Sequence, residues 1–326
     1  MVGCSIDQEM KPLLTIIVPV YNRARLVVRT LDSIAASTSC AFNLIIVDNG
    51  STDDSLATCQ SWAELHQEQP FSIDILSCTT LGAPAARNEG LRHAQTPYVY
   101  FFDSDDVFSR DFVEAILPWL EKGKWDMVFV PVRQRNEQGA LSVRSYQMTD
   151  SPAVQILNSM LSTQSLVFRT DWLRSIGGWR EGLPIWQDWE LGIRALAAHP
   201  QMTWCTQRTY HEILIHPDSI SGKSMADTWR QSIQTMSQVL RFVQNDMADA
   251  SDKEYCLRAL YWRAMLMCGL QLQTHHAEGA ATYTAFAQRE MPRQRWSVRF
   301  LGSLIKCYTH WGGRGAWRLA LYFIRK

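Results

Sequence analysis

A rhythm in the first half of this chain constrains it more than any other feature. Short apolar, β-favouring runs alternate with stretches of helical spacing. Residues 13–20 (LLTIIVPV), 43–47 (NLIIV), 71–76, 98–102 (YVYFF) and 125–132 read as strands. Between them, 25–36, 83–94 and 112–120 read as helices, as does a stretch that Asp53 or Asp54 can cap, with Leu56 and Leu65 among its apolar points. The strand runs are continuously apolar, as expected where both faces are covered. Strands alternating with helices imply a parallel sheet with right-handed crossovers. Polar residues stand where the strands end: Asn22 after the first, Asp48 after the second, Asp103, Asp105 and Asp106 after the fourth. Ligands of an open α/β sheet bind at that edge, so the pattern predicts a carboxylate-lined cleft.

From about residue 226 the pattern changes. Helical spacing dominates, strand signals vanish, and Trp and Arg become frequent. We therefore expect an α/β domain over 1–225 and a helical region over 226–326. The 32 basic and 32 acidic residues cancel, which speaks against a chain that works by coating nucleic acid. The cancellation is uneven. From Arg289 onward nine basic residues face one acid, Glu290, so the tail carries +8 and the remainder −8. Trp296, Phe300, Leu304, Trp311, Trp317, Leu321 and Phe323 interleave with those charges. That mixture suggests peripheral contact with a membrane, or else a helical cap whose basic face packs on the acidic part or stays in water. The start, MVGCSIDQEMKPLL, has no basic region followed by an apolar one, and no run of about 18 uncharged apolar residues occurs. The eight cysteines form no CxxC pair. A reduced, cytoplasmic protein is expected.

Five motifs carry candidate chemistry. FDSDD, 102–106, places three carboxylates in four residues after a strand. They are tolerable if a cation or hydrogen-bond donors neutralise them, and an all-oxygen donor set suits Mg²⁺ or Mn²⁺. The bland alternative is a solvated turn with Asp106 or Ser109 as helix cap. PVYN, 19–22, is followed by DNGSTD, 48–53, where Asp48 can accept hydrogen bonds from a base or ribose, or merely close a turn. GAPAARNEG, 82–90, offers small residues for close approach and Arg87 for a phosphate or base, or else a helix docked on the sheet. In WQDWEL, 186–191, a carboxylate between aromatics can act as a base, or Asp188 can cap a helix. Asp188 and Glu190 cannot share a helix face, so one role each is expected. In HEILIHPDSIS, 211–221, His216 can ligate a metal or touch a diphosphate, or serve structure alone; His211 is the weaker of the two.

In this order, PVYN, VDNGSTD, GAPAARNEG, YFFDSDD, GGWRE and QDWEL resemble the family-2 glycosyltransferases of GT-A fold, over roughly residues 13–222. The resemblance implies a mostly parallel, Rossmann-like sheet flanked by helices. It also implies an inverting enzyme that uses a nucleotide-diphosphate sugar, most simply a UDP-sugar, with Mg²⁺ or Mn²⁺. Pro19, Val20, Tyr21 and Asn22 would lie at the base and ribose, with Asp48 bonded to the base. Gly82 and Arg87 belong to the stretch that approaches the nucleotide. Asp103 and Ser104 would face the ribose, Asp105 with Asp103 would hold the metal, and His216 sits in a loop that closes over the donor. Asp188 matches the general base. The family usually has Glu before that Asp, where this chain has Gln187. The acceptor would be a glycan or lipid-linked sugar, at the inner face of a membrane. A nucleotidyltransferase would share the sheet but normally carries a Gly-rich basic signature near its N-terminus, which is missing; a non-catalytic nucleotide-sugar scaffold would not need Asp105 and Asp188.

Overall fold

The computed structural model describes residues 11–136, 138–143, 148–206, 208–214 and 227–324. They fall into two compact units. The first holds both sheets. Its elements are β1 (Leu14–Val20), α1 (Val27–Ala35), β2 (Phe42–Asp48), α2 (Ser55–Leu65), β3 (Ile73–Ser77), α3 (Ala83–His93), β4 (Tyr98–Phe101) and α4 (Phe112–Leu120). There follow β5 (Met127–Phe129), β6 (Val132–Arg135) and β7 (Leu141–Val143). After α5 (Pro152–Asn158), which belongs to the second unit, come β8 (Leu166–Arg169) and α6 (Thr170–Ser175). After α7 (Gln187–Ala197), also in the second unit, come β9 (Met202–Trp204) and β10 (Tyr210–Leu214).

The main sheet has seven strands in the order β3-β2-β1-β4-β8-β5-β9. The first four are mutually parallel, as the βαβ rhythm requires. β8 runs antiparallel to both of its neighbours, while β5 and β9 are parallel to each other. Every residue of β1 is buried, which explains a run without alternation. Behind one face of the sheet lies a core of Ile16, Val18, Leu31, Phe42, Trp62, Tyr100 and Phe112 among others.

Two expectations about these elements need correction. The apolar run 125–132 is not one strand. Pro131 has no N–H to give to a ladder, and the chain breaks there into β5 of the main sheet and β6 of a small sheet ordered β10-β6-β7. In α2 the buried face is Ser55, Cys59 and Trp62, while Leu65 is exposed. The Trp62 indole reaches across to donate to Asp32 at 2.8 Å, and that contact sets the face.

The second unit gathers described residues of 148–160, 183–199 and 227–324. Besides α5 and α7 it contains α8 (Trp229–Asn245), α9 (Ala250–Gln273), α10 (Ala277–Glu290), α11 (Trp296–His310) and α12 (Trp317–Phe323). Trp189, Met236, Leu260, Trp262, Tyr283 and Ile305 lie in its core. Burial pushes the Tyr283 phenol up to about 12, and its hydroxyl pairs with Ser232 at 2.5 Å. No disulfide joins the described cysteines, and burial holds the Cys59 thiol up at about 12. Among the described residues no helix is long and apolar enough to cross a membrane.

Candidate functional site

The site is built from strand ends of the first unit. β1 ends in Pro19 and Val20, both buried, and the Val20 carbonyl accepts from the Asn49 N–H at 2.8 Å. The chain then turns outward, leaving the Tyr21 ring exposed. Asn22 takes φ 51°, a left-handed conformation that Asn tolerates. Its side chain accepts from the Thr52 N–H at 2.8 Å, and its own N–H donates to the Ser51 hydroxyl at 3.1 Å. Asn22 therefore ties the PVYN turn to the DNGSTD turn.

Asp48 ends β2 and is 5% exposed. Its Oδ2 accepts from the N–H groups of Gly50 (3.1 Å) and Ser51 (3.2 Å), the geometry of a turn. Its Oδ1 is buried with no hydrogen-bond partner among the described residues. A buried carboxylate oxygen left unpaired costs free energy unless a ligand donates to it. Asn49 links the same turn to the start of α3, donating to the Thr80 carbonyl and accepting from the Gly82 N–H, each at 2.7 Å.

Beyond β4 the three aspartates separate into different environments. Asp103 accepts from Arg87 (2.7 Å) and from the Gln164 amide (2.6 Å), and its side chain stays 33% exposed. Ser104 is buried. Asp105 is 17% exposed, with the Arg23 guanidinium at 3.4 Å, and its carbonyl accepts from Arg29 at 2.7 Å. Asp106 is buried and accepts from Gln164 at 2.7 Å and from the Leu214 N–H at 2.7 Å. Burial, reinforced by the Asp103 charge, pushes its carboxyl well above the usual carboxylate range. Neither Asp106 nor Ser109 caps α4; the Ser109 hydroxyl accepts instead from the His211 N–H.

Gln164 escapes the sequence reading, and the sheet explains why it matters. β8 is antiparallel to β4, with Tyr100 opposite Val167. Continuing that register puts Gln164, just ahead of β8, opposite Asp103, just after β4. A polar residue in front of an apolar run was the only signal available. Arg23 is also unannounced, and Trp179 stands in the GGWRE motif with no role read for it. The Arg87 guanidinium lies 4.5 Å over the Trp179 ring. Trp179 is held there by Asn88, which accepts from its N–H (2.9 Å) and donates to its carbonyl (2.8 Å). Gly178 makes this possible, since it has φ 60° and a Cβ there would lie 2.7 Å from Asn88 Oδ1.

His211 is fully buried among Tyr100, Phe102, Phe108 and Phe112, with ring centroids 4.4–5.5 Å away. Its Nδ1 accepts from the Ser109 N–H at 3.0 Å. Burial, with help from the Arg133 charge, holds the imidazole well below its ordinary value, so it is neutral and structural. His216 lies outside the described residues. Among the described residues no three His, Cys, Asp or Glu side chains gather as a metal cage. Asp103 and Asp105 are nevertheless solvent-reaching oxygen donors, which suits a hard cation that takes its remaining ligands from phosphate and water.

Asp188 stands in the first turn of α7, in the second unit, half-buried, with one oxygen accepting from the Trp189 N–H at 2.9 Å. Glu190 goes elsewhere: it is buried and makes a two-bond pair with Arg194 at 2.7 and 2.9 Å. The helix cap is Trp186, which adopts φ 58°. That conformation costs a bulky residue about 1–3 kcal/mol. It is held by the Arg263 guanidinium, 4.9 Å from its ring, and by the Trp189 ring at 5.4 Å.

A mostly parallel sheet whose acids collect at one strand edge is an arrangement that GT-A glycosyltransferases share. The chain belongs to glycosyl transferase family 2, whose model matches residues 15–177, half of its length. It is 26% identical over 188 residues to the minor teichoic acid biosynthesis protein GgaA of Bacillus subtilis, covering 54% of this chain and 41% of that one. Among solved structures it resembles S. aureus TarS 1-349 in complex with UDP-GlcNAc, with TM-score 0.66, 17% identity, and coverage of 95% and 91% of the two chains. It also resembles the mannosyltransferase PcManGT of Pyrobaculum calidifontis in complex with GDP-Man and Mn²⁺, with TM-score 0.53, 18% identity, and coverage of 97% and 88%. These structural likenesses show a shared fold. The chain spans between 14% and 41% of the length of the curated relatives it matches.

Proposed function

We propose that this chain transfers a sugar, with inversion, from a nucleotide-diphosphate sugar to an acceptor hydroxyl in the synthesis of cell-surface polysaccharide. The observation that carries the reading is the strand edge where Asp48 keeps a buried oxygen with no partner among the described residues, beside the solvent-reaching Asp103 and Asp105. A base N–H would satisfy Asp48 Oδ1, and the exposed Tyr21 ring offers a face to the same base. Pro19, Val20, Asn22, Gly82 and Ser104 shape the backbone around it. UDP is the favoured nucleotide, supported by the UDP-GlcNAc complex of TarS; the GDP-Man complex of PcManGT keeps GDP in the test panel.

Asp103 and Asp105, with His216, would hold Mg²⁺ or Mn²⁺. When bound, such an ion neutralises charge growing on the leaving diphosphate. Arg87 and Gln164 fix the Asp103 carboxylate from behind. Asp188 takes the proton from the acceptor hydroxyl as that oxygen attacks the anomeric carbon from the face opposite the leaving group. One displacement inverts the centre and needs one base, so Gln187 in place of the family's Glu leaves the scheme intact. In sequence, 1–225 carries the transfer chemistry and 226–326 is the accessory helical region. The acceptor is a glycan or lipid-linked sugar, met at the cytoplasmic face of the membrane.

The test is Asp188→Asn with a panel of nucleotide sugars. Transfer should fall by about 10²–10⁴-fold, while Mn²⁺-dependent UDP binding by calorimetry stays at the wild-type level. Full-rate transfer by the variant sinks the base. No metal-dependent nucleotide binding by the wild type sinks the strand-edge site.

A further inference from the structure

We infer that the outward side of α11, the turn after it and α12 form a docking surface for an anionic lipid bilayer. The inference takes its purpose from the proposed membrane-borne acceptor, but the geometry that carries it is that of the tail alone. α11 packs inward through Val298, Leu301, Gly302, Ile305 and Thr309. Gly302 sets the helix's rotation, because a Cβ there would lie 2.7 Å from the Tyr261 ring. The opposite side is a row four residues apart, Trp296, Phe300, Leu304 and Tyr308, all exposed. Trp296 is 80% exposed, and Trp311 in the following turn is 83% exposed. The turn is held in place: the Tyr308 hydroxyl donates to the Arg314 carbonyl at 3.3 Å and the Gly313 N–H to the Tyr308 carbonyl at 2.9 Å. α12 adds exposed Leu319, Tyr322 and Phe323.

Soluble chains rarely turn a contiguous row of large rings to water unless something covers it. Charge decides what the cover is. Arg293, Arg295, Arg299, Arg314 and Arg318 are exposed around the row, and residues 291–324 contain no Asp or Glu. A second copy would bring the same positive charge against itself. A bilayer with anionic headgroups satisfies both parts. The rings enter the boundary between headgroup and acyl chain, and the guanidiniums meet phosphates.

The experiment is co-sedimentation of the full chain with vesicles of phosphatidylcholine, with and without phosphatidylglycerol. Retention should rise at least about tenfold with phosphatidylglycerol and fall as salt is raised. Combining Trp296→Ser, Phe300→Ser and Trp311→Ser should lower retention by at least about tenfold, with circular dichroism and melting temperature unchanged. The single change Trp296→Phe should keep most of it. Failure of the wild type to bind, or equal retention of the triple variant, overturns the proposal. So does a lipid-free wild type that self-associates in velocity sedimentation where the triple variant does not, since the face would then lie between copies. Transfer to a soluble acceptor separates the two readings. If transfer is absent while vesicles still retain the protein, the transferase reading falls and the surface stands.

Discussion

The strand edge and the C-terminal tail both concentrate charge, and they treat it in opposite ways. At the edge the three aspartates after β4 have donors from elsewhere in the fold: Arg87 and Gln164 for Asp103, Arg23 for Asp105, Gln164 and the Leu214 N–H for Asp106. In the tail the exposed arginines have no carboxylate within their own segment, and rings stand beside them in water. Charge answered from within gives fixed geometry, which suits a small ligand whose atoms must be placed. Charge left unanswered beside apolar surface suits an extended partner that supplies the opposite sign and a place for the rings.

That contrast predicts where substitutions hurt. The largest effect belongs to the Glu190–Arg194 pair of the second unit, where both partners are buried. Glu190→Ala should cost about 3–5 kcal/mol in denaturant unfolding, since it breaks a buried, doubly hydrogen-bonded ion pair. A cost no larger than that of the tail triple variant would break the comparison. Next is Gln164→Met, which keeps the chain length and removes the donor shared by Asp103 and Asp106. It should cost about 1–3 kcal/mol and also weaken nucleotide binding; loss of stability alone would mark Gln164 as structural. The smallest effect is read in pH. His211 has its folded value depressed below the ordinary 6.5, so protons bind the unfolded chain better. Its contribution is complete above 6.5 and is lost as pH falls below it, at up to about 1.4 kcal/mol per pH unit. His211→Phe should flatten that acid slope. An unchanged slope would show that other groups carry it.

The strands β1, β2 and β4 were legible because a doubly covered strand must be apolar throughout. The acids that follow them were legible because sheet topology sends such residues to one edge. Asp48 reads in sequence as either ligand contact or turn; in the structure one oxygen closes the turn and the other has no hydrogen-bond partner among the described residues. Gln164 was not legible, because nothing in TQSLVF says that β8 runs backwards. Arg23, and the contact made by the Trp179 of GGWRE, were hidden for a related reason. Their partners, Asp105 and Arg87, lie far off in sequence, and a guanidinium or an indole carries no local mark of what it will meet. In α2, Leu56 and Leu65 looked like the anchoring points, yet Trp62 took that part through Asp32. Pro131 was a readable break that the continuous run of apolar residues around it disguised.

The sequence by itself determined the α/β rhythm, the acids at the strand ends, the helical second region and the opposite charge of the tail, because each is written in neighbouring residues. Tertiary structure alone decided which aspartate is buried, which donor answers it, that Glu190 turns inward while Asp188 stays within reach of solvent, and which side of α11 faces out. Those outcomes depend on strand direction and on close contacts such as Gly302 against Tyr261, set by residues distant along the chain.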